Sequence, residues 1–240
     1  MKNNKKVKSL VLIITLICTI VSFISIYKIA MWYQDINQNN SIKIETNRYV
    51  IKKQKEYKID FNKLKEQNKD IIGYLKVNNT NIDYVVVKGK DNSYYLSHDF
   101  KKNHSIAGWI FASYQNKIDG SDKNIVIFGH NMRDNSMFGT LKNVLTKKWY
   151  INKDNLTIEF ATEKETSSYQ VFSVYQIPAE DYYINTEFDN DEDYLDFINT
   201  ITKRSINDFD IQISKEDKIL TLSTCSQTGK ERVVLHAKKI

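Results

Sequence analysis

Two thiols are present in the 240 residues, Cys18 and Cys225. Cys18 lies inside an apolar run, which leaves Cys225 as the one thiol of the soluble part. Cys225 ends KILTLSTC (218–225), an apolar strand pattern that finishes in small polar residues. A strand end is a rigid platform with an open rim and suits a nucleophile. A free thiol has a pKa near ~8.5, so activation calls for a cationic neighbour or a base. A buried structural cysteine is the competing reading of Cys225 taken alone. His130 ends a second apolar strand pattern, NIVIFGH (124–130). Of the other histidines, His98 and His104 fall in polar, loop-like segments and His236 in the last strand pattern. Arg232 opens that last strand pattern, and the intervening SQTGKE (226–231) contains Gly229 and reads as a turn. A hairpin there would return Arg232 to the side of Cys225. A guanidinium stays protonated and presents donors in a fixed fork, which suits a developing oxyanion. In isolation His130 would be a surface histidine and Arg232 a strand-edge charge.

The elements that must position these groups are mostly strands. Residues 71–77, 83–88, 109–112, 124–130, 156–162, 168–177, 218–224 and 232–238 form short runs rich in β-branched and aromatic residues. Helical spacing appears in residues 60–68, with Asp60 as N-cap, and in 137–145 and 191–203. In the last of these, Tyr194, Leu195, Phe197, Ile198 and Ile201 are the apolar members. Many strands with scattered helices favour a closed or nearly closed β-barrel over a βαβ arrangement. No P-loop, GxGxxG or internal repeat is present.

Residues 9–27, SLVLIITLICTIVSFISIY, carry no charged side chain and approach the ~20 residues a membrane helix needs. Trp32 and Tyr33 suit an interfacial aromatic belt, and Lys2, Lys5, Lys6 and Lys8 before the run predict a cytoplasmic N-terminus. A cleaved signal peptide is the rival, but the run is long for one and no clean small-x-small site follows. The expected layout is a basic tail (1–8), a transmembrane anchor (9–31), an extracytoplasmic stalk (32–58) and a catalytic domain (59–240). The net charge of +6 is concentrated before the anchor and otherwise interleaved with acids, so it argues for a mixed solvated surface and against nucleic acid. A single thiol in the soluble part excludes a disulfide-stapled scaffold.

TLSTC (221–225), Arg232 downstream and FGHN (128–131) upstream together resemble the sortases. The wider context resembles class B: NSYYLSHDF (92–100), GWIFASYQN (108–116), IVIFGHNM (125–132) and MFGTLKN (137–143). The resemblance covers roughly residues 60–240 and implies an eight-stranded barrel with the helix at 191–203 inserted between the sixth and seventh strands. It implies a cysteine transpeptidase with Cys225 as nucleophile, His130 as general acid/base, and Arg232 positioning substrate and stabilising the oxyanion. By the same resemblance Asn92, Leu96, Ser223, Tyr183 and Ile184 line the peptide groove. The implied partners are secreted proteins with a C-terminal sorting signal, and an amine of a peptidoglycan precursor or cross-bridge. The acidic cluster of calcium-stimulated class A relatives is missing, so no metal and no cofactor are expected. The connection from Cys225 to Arg232 is short compared with some relatives, which leaves the accepted amine open. A hydrolytic cysteine peptidase and a pilin-polymerising sortase fit the same residues. A non-catalytic surface-binding module on a membrane stalk is the reading from another class.

Overall fold

The computed structural model describes residues 2–53, 56–225 and 230–240, and the side chains of 7–52, 57–224 and 230–240. The chain divides into two compact units, residues 1–38 and 39–240. The first is the N-terminal part of helix α1 (Lys2–Asn47). It is long and apolar enough to cross a membrane. Four of its hydroxyls are satisfied within the helix: Thr15, Thr19, Ser22 and Ser25 each donate to the carbonyl four residues earlier. Their polarity is therefore no obstacle to an apolar surrounding.

The second unit begins with the last turns of α1. There Ile42 is buried, Asn39 Nδ2 donates to Ser105 Oγ at 2.8 Å and Lys43 Nζ to the Asn81 carbonyl at 2.8 Å. A small hairpin follows, β1 (Val50–Lys53) with β2 (Glu56–Ile59). Helix α2 (Phe61–Gln67) starts where Asp60 accepts from Lys63 N at 3.0 Å, the expected N-cap.

Eight strands then close a barrel: β3 (Ile71–Val77), β4 (Asp83–Val87), β5 (Phe111–Ala112), β6 (Asn124–Gly129), β7 (Thr157–Thr162), β8 (Thr166–Pro178), β9 (Ile219–Cys225) and β10 (Glu231–Lys239). Around the barrel the order is β10-β8-β7-β3-β4-β5-β6-β9. The pairs β4–β5 and β6–β9 are parallel and the others antiparallel. Leu75, Val85, Val87, Ile127, Val174, Leu222 and Leu235, on six of its strands, are all buried in one apolar cluster, so the barrel is a packed core.

Helix α3 (Lys147–Tyr150) is one turn long, and α4 (Asp191–Lys203) sits between the sixth and seventh barrel strands. Asn190 caps α4 by accepting from Asp193 N, and Tyr194, Phe197, Ile198 and Ile201 bury one face in a second apolar cluster with Phe172, Tyr175 and Val234. The helical expectation for residues 137–145 needs correction. Only Leu141–Leu145 is wound, as a 3₁₀ turn, and Met137 sits at φ 49° with its N–H bonded to Tyr84 Oη. Met137 is buried in the main apolar cluster and lies outside that turn.

His236, on β10, is fully buried, and burial holds its imidazole down at about 3. Unfolding releases it to an ordinary value near ~6.5, so below that pH the unfolded chain binds a proton that the folded chain refuses. Stability is then complete above about pH 6.5 and falls as pH drops, by up to ~1.4 kcal/mol per unit. Burial opposes ionisation of Asp83, but hydrogen bonds from Lys76 and Tyr74 outweigh it and hold that carboxyl below its usual range. Its contribution is accordingly lost only at lower pH, below about 4. Urea unfolding is expected to lose about 2 kcal/mol between pH ~7.5 and ~5, with the slope reduced in His236→Phe. A flat profile in the parent protein would contradict the buried neutral imidazole.

Candidate active site

Three neighbouring strands bring the predicted reactive groups to one end of the barrel. In the β9–β10 ladder Cys225 stands directly opposite Arg232. In the parallel β6–β9 ladder Gly129 stands opposite Thr224, so His130 and Cys225 are the next residues on their strands. Position 225 is placed here by its backbone; the Cys225 side chain and residues 226–229, where the sequence predicts a turn, lie outside the described residues.

The end of β6 is held tightly. The His130 carbonyl accepts from Met132 N at 3.1 Å and from Phe138 N at 2.9 Å. Gly129 is required by close approach, since a Cβ there would lie 2.8 Å from the Phe138 ring. The His130 imidazole is half-buried, with Nε2 2.8 Å from the Leu96 carbonyl. A carbonyl only accepts, so Nε2 carries the hydrogen and Nδ1 is the nitrogen left to exchange a proton. Arg232 is half-buried, and Nη1 donates to the Glu231 carbonyl at 3.0 Å, which orients the guanidinium from its own strand.

One cavity of about 260 Å³ joins these groups to the predicted groove residues. Asn92, Leu96, His130, Tyr183, Ile184, Ser223 and Arg232 all line it. Its wall is built from loops on a rigid frame. Asn92 Oδ1 accepts from Tyr114 N at 3.0 Å, which fixes that side chain, and Leu96 lies in a 3₁₀ turn and stays exposed. Tyr183 and Ile184 lie in another 3₁₀ turn, and Tyr183 Oη meets Ser223 Oγ at 3.0 Å. Sequence reasoning did not single out Phe111, Phe128, Glu180 or Asp181, which also line the cavity. The two phenylalanines are cross-strand partners with ring centroids 5.4 Å apart. That pairing depends on the β5–β6 register, for which a two-residue strand leaves almost no signal. Among the described residues no three His, Cys, Asp or Glu side chains gather as metal ligands.

An apolar-walled cleft with an imidazole and a guanidinium at its rim can bind an extended peptide, stabilise an oxyanion and shuttle a proton. Residues 75–240 match the family model of the sortase domain. The whole chain is 32% identical over 242 residues to sortase B of Staphylococcus aureus, covering 98% of each. The crystal structure of sortase B from Bacillus anthracis in complex with AAEK1 superposes with a TM-score of 0.77 at 31% identity, over 87% of this chain and 99% of that one. The Staphylococcus aureus sortase B–substrate complex superposes at 0.70 with 36% identity, over 75% of this chain and 84% of that one.

Proposed function

The chain belongs to the sortase family and is class B-like, a cysteine transpeptidase of cell-wall sorting, and from that premise we propose that it cleaves a C-terminal sorting signal after threonine through a thioester on Cys225. The observation that carries this reading is the meeting of strand ends: His130 just past β6, position 225 at the end of β9 and Arg232 on β10 lie at one end of the barrel, beside one cleft.

In the proposed cycle the Cys225 thiolate attacks the threonine carbonyl of a signal such as NPxTx or a PxTG-like peptide. Arg232 and backbone N–H groups stabilise the tetrahedral oxyanion. Protonated His130 gives its proton to the leaving amine as the C–N bond breaks, and the C–S bond of the thioester remains. An amine of a peptidoglycan precursor or cross-bridge then attacks the thioester. Neutral His130 takes the proton of that amine, the thiolate leaves, and a new amide joins cargo to wall. Asn92, Leu96, Ser223, Tyr183 and Ile184 hold the peptide extended. A related sortase B has been solved as a substrate complex, which supports substrate binding by this fold.

The anchor is assigned to residues 9–31, with 1–8 cytoplasmic, a stalk over 32–58 whose part from Asn39 onward packs within the second unit, and catalysis in 59–240 outside the cell. Cationic residues before the apolar run support that orientation.

The full-length protein in detergent micelles, given a fluorogenic sorting peptide with and without an oligoglycine amine, tests the reading. Cleavage at threonine with a mass-confirmed ligated product is the expected result. Cleavage without ligation over a range of amines would make the enzyme a peptidase, and no cleavage with an unreactive Cys225 would favour a binding module.

A further inference from the structure

We propose that His236, remote from the reacting atoms, is a positioning residue that clamps the peptide-binding turn of the cleft through a one-way chain of buried hydrogen bonds. The clamp rests on the sorting reading above only for its catalytic consequence. The direction of each bond follows from its neighbour. The Asn185 carbonyl can only accept, so Asn124 turns its Nδ2 to it at 2.9 Å. Asn124 Oδ1 is thereby turned to Thr221, whose hydroxyl donates to it at 2.7 Å. That hydroxyl has spent its one hydrogen, so it accepts from His236 Nδ1–H at 2.8 Å. His236 Nε2 is then bare and accepts from Tyr175 Oη at 2.7 Å. Tyr175 in turn accepts from Tyr182 Oη at 3.5 Å.

The chain therefore begins at Tyr182 and ends at Asn185, the two residues that bracket Tyr183 and Ile184. His236, Thr221, Asn124 and Tyr175 are buried, while Asn185 is exposed. The bracketed turn is thus tied at both ends to the interior of the fold, to residues on β6, β8, β9 and β10. Within it Tyr183 reaches Ser223, so the groove wall has its geometry set from beneath. A neutral Nδ1–H imidazole is the form that relays the chain: it donates to one hydroxyl and accepts from another. A purely structural polar cluster would have no reason to close on the two flanks of one turn.

Thr221→Val removes one hydroxyl at constant shape and cuts the Asn185 arm, Thr221→Ser restores it, and Tyr175→Phe cuts the Tyr182 arm. Hydrogen–deuterium exchange of the full-length protein in micelles is read at the amides of residues 182–187. Exchange there is expected to rise about tenfold in Thr221→Val and in Tyr175→Phe and to return to the parent level in Thr221→Ser, because a severed buried bond leaves its partner unsatisfied. With a fluorogenic sorting peptide, KM is expected to rise about tenfold with kcat within about twofold. Labelling of Cys225 by a small methanethiosulfonate reagent should stay at the parent rate. Unchanged exchange at 182–187 in a folded Thr221→Val or Tyr175→Phe protein overturns the clamp, as does a fall of kcat and labelling in step with KM. The exchange result judges the clamp even if the parent protein cleaves no sorting peptide, an outcome that would defeat the sorting reading alone. Should Thr221→Val fail to fold, Tyr175→Phe decides by the same readouts.

Discussion

Cys225→Ala is expected to abolish peptide cleavage and transfer, with a loss on the order of 10⁴-fold or more in kcat/KM. The size follows from the chemistry. The thiolate supplies the bond that divides one amide exchange into two acyl transfers, and no second nucleophile is offered at that end of the barrel by His130 or Arg232. An imidazole beside a bound peptide could at most activate water, in a cleft arranged for an attacking atom on β9. Two further outcomes separate loss of the nucleophile from loss of the fold. Peptide affinity should remain near the parent value, because Asn92, Leu96, Tyr183 and Ser223, which line the cleft, are unchanged in the variant. Mass spectrometry of the parent protein with peptide should show an acyl adduct on the tryptic fragment that holds Cys225, absent from the variant. Cleavage retained at the parent rate in Cys225→Ala would remove the thioester from the mechanism and turn attention to a metal-free hydrolase or a contaminant.

The strands were legible because each carries its own signal. Residues 71–77, 124–130 and 218–224 combine β-branched side chains with polar punctuation, and they became β3, β6 and β9 with little change at their ends. Helix α4 was legible for the same local reason, its apolar stripe, while the Asn190 cap and acidic first turn emerged only with the structure. Residues 137–145 misled because burial of Met137 comes from a left-handed turn packed against Tyr84, a tertiary cause that mimics helical spacing. The β1–β2 hairpin went unread because Val50, Ile51, Tyr57 and Ile59 are mixed with Lys52, Lys53, Glu56 and Lys58 in a lysine-rich stretch. The last turns of α1 gave no sign that Asn39 and Ile42 pack within the second unit. In the candidate site, composition and spacing reached only three residues, Cys225, His130 and Arg232. The groove residues came by resemblance. The His236 chain was beyond either route, since Thr221 and Asn124 are 97 residues apart and meet only through the parallel β6–β9 pairing.

The β9–β10 pairing decides what to expect of Arg232→Lys, a loss of about 10²–10³-fold in kcat/KM despite conservation of charge. If Arg232 served only as a positive charge to lower the thiol pKa, an ammonium on a flexible stem would serve nearly as well and the loss would be a few-fold. The geometry argues for a fork. Arg232 stands directly across the ladder from Cys225, lines the cleft, and is oriented by one Nη1–H on the Glu231 carbonyl. A guanidinium held in that way keeps its plane fixed and presents its donors as a rigid fork, whereas a lysine has one nitrogen to divide between the strand and the substrate. Because charge builds on that oxygen chiefly in the transition state, the loss should fall mainly on kcat and little on KM. Arg232→Ala should be only modestly worse than Arg232→Lys, and raising the pH to favour the thiolate should rescue neither. Activity within about threefold of the parent in Arg232→Lys, measured with full-length protein and a sorting peptide, would reduce Arg232 to a point charge and leave oxyanion stabilisation to the backbone.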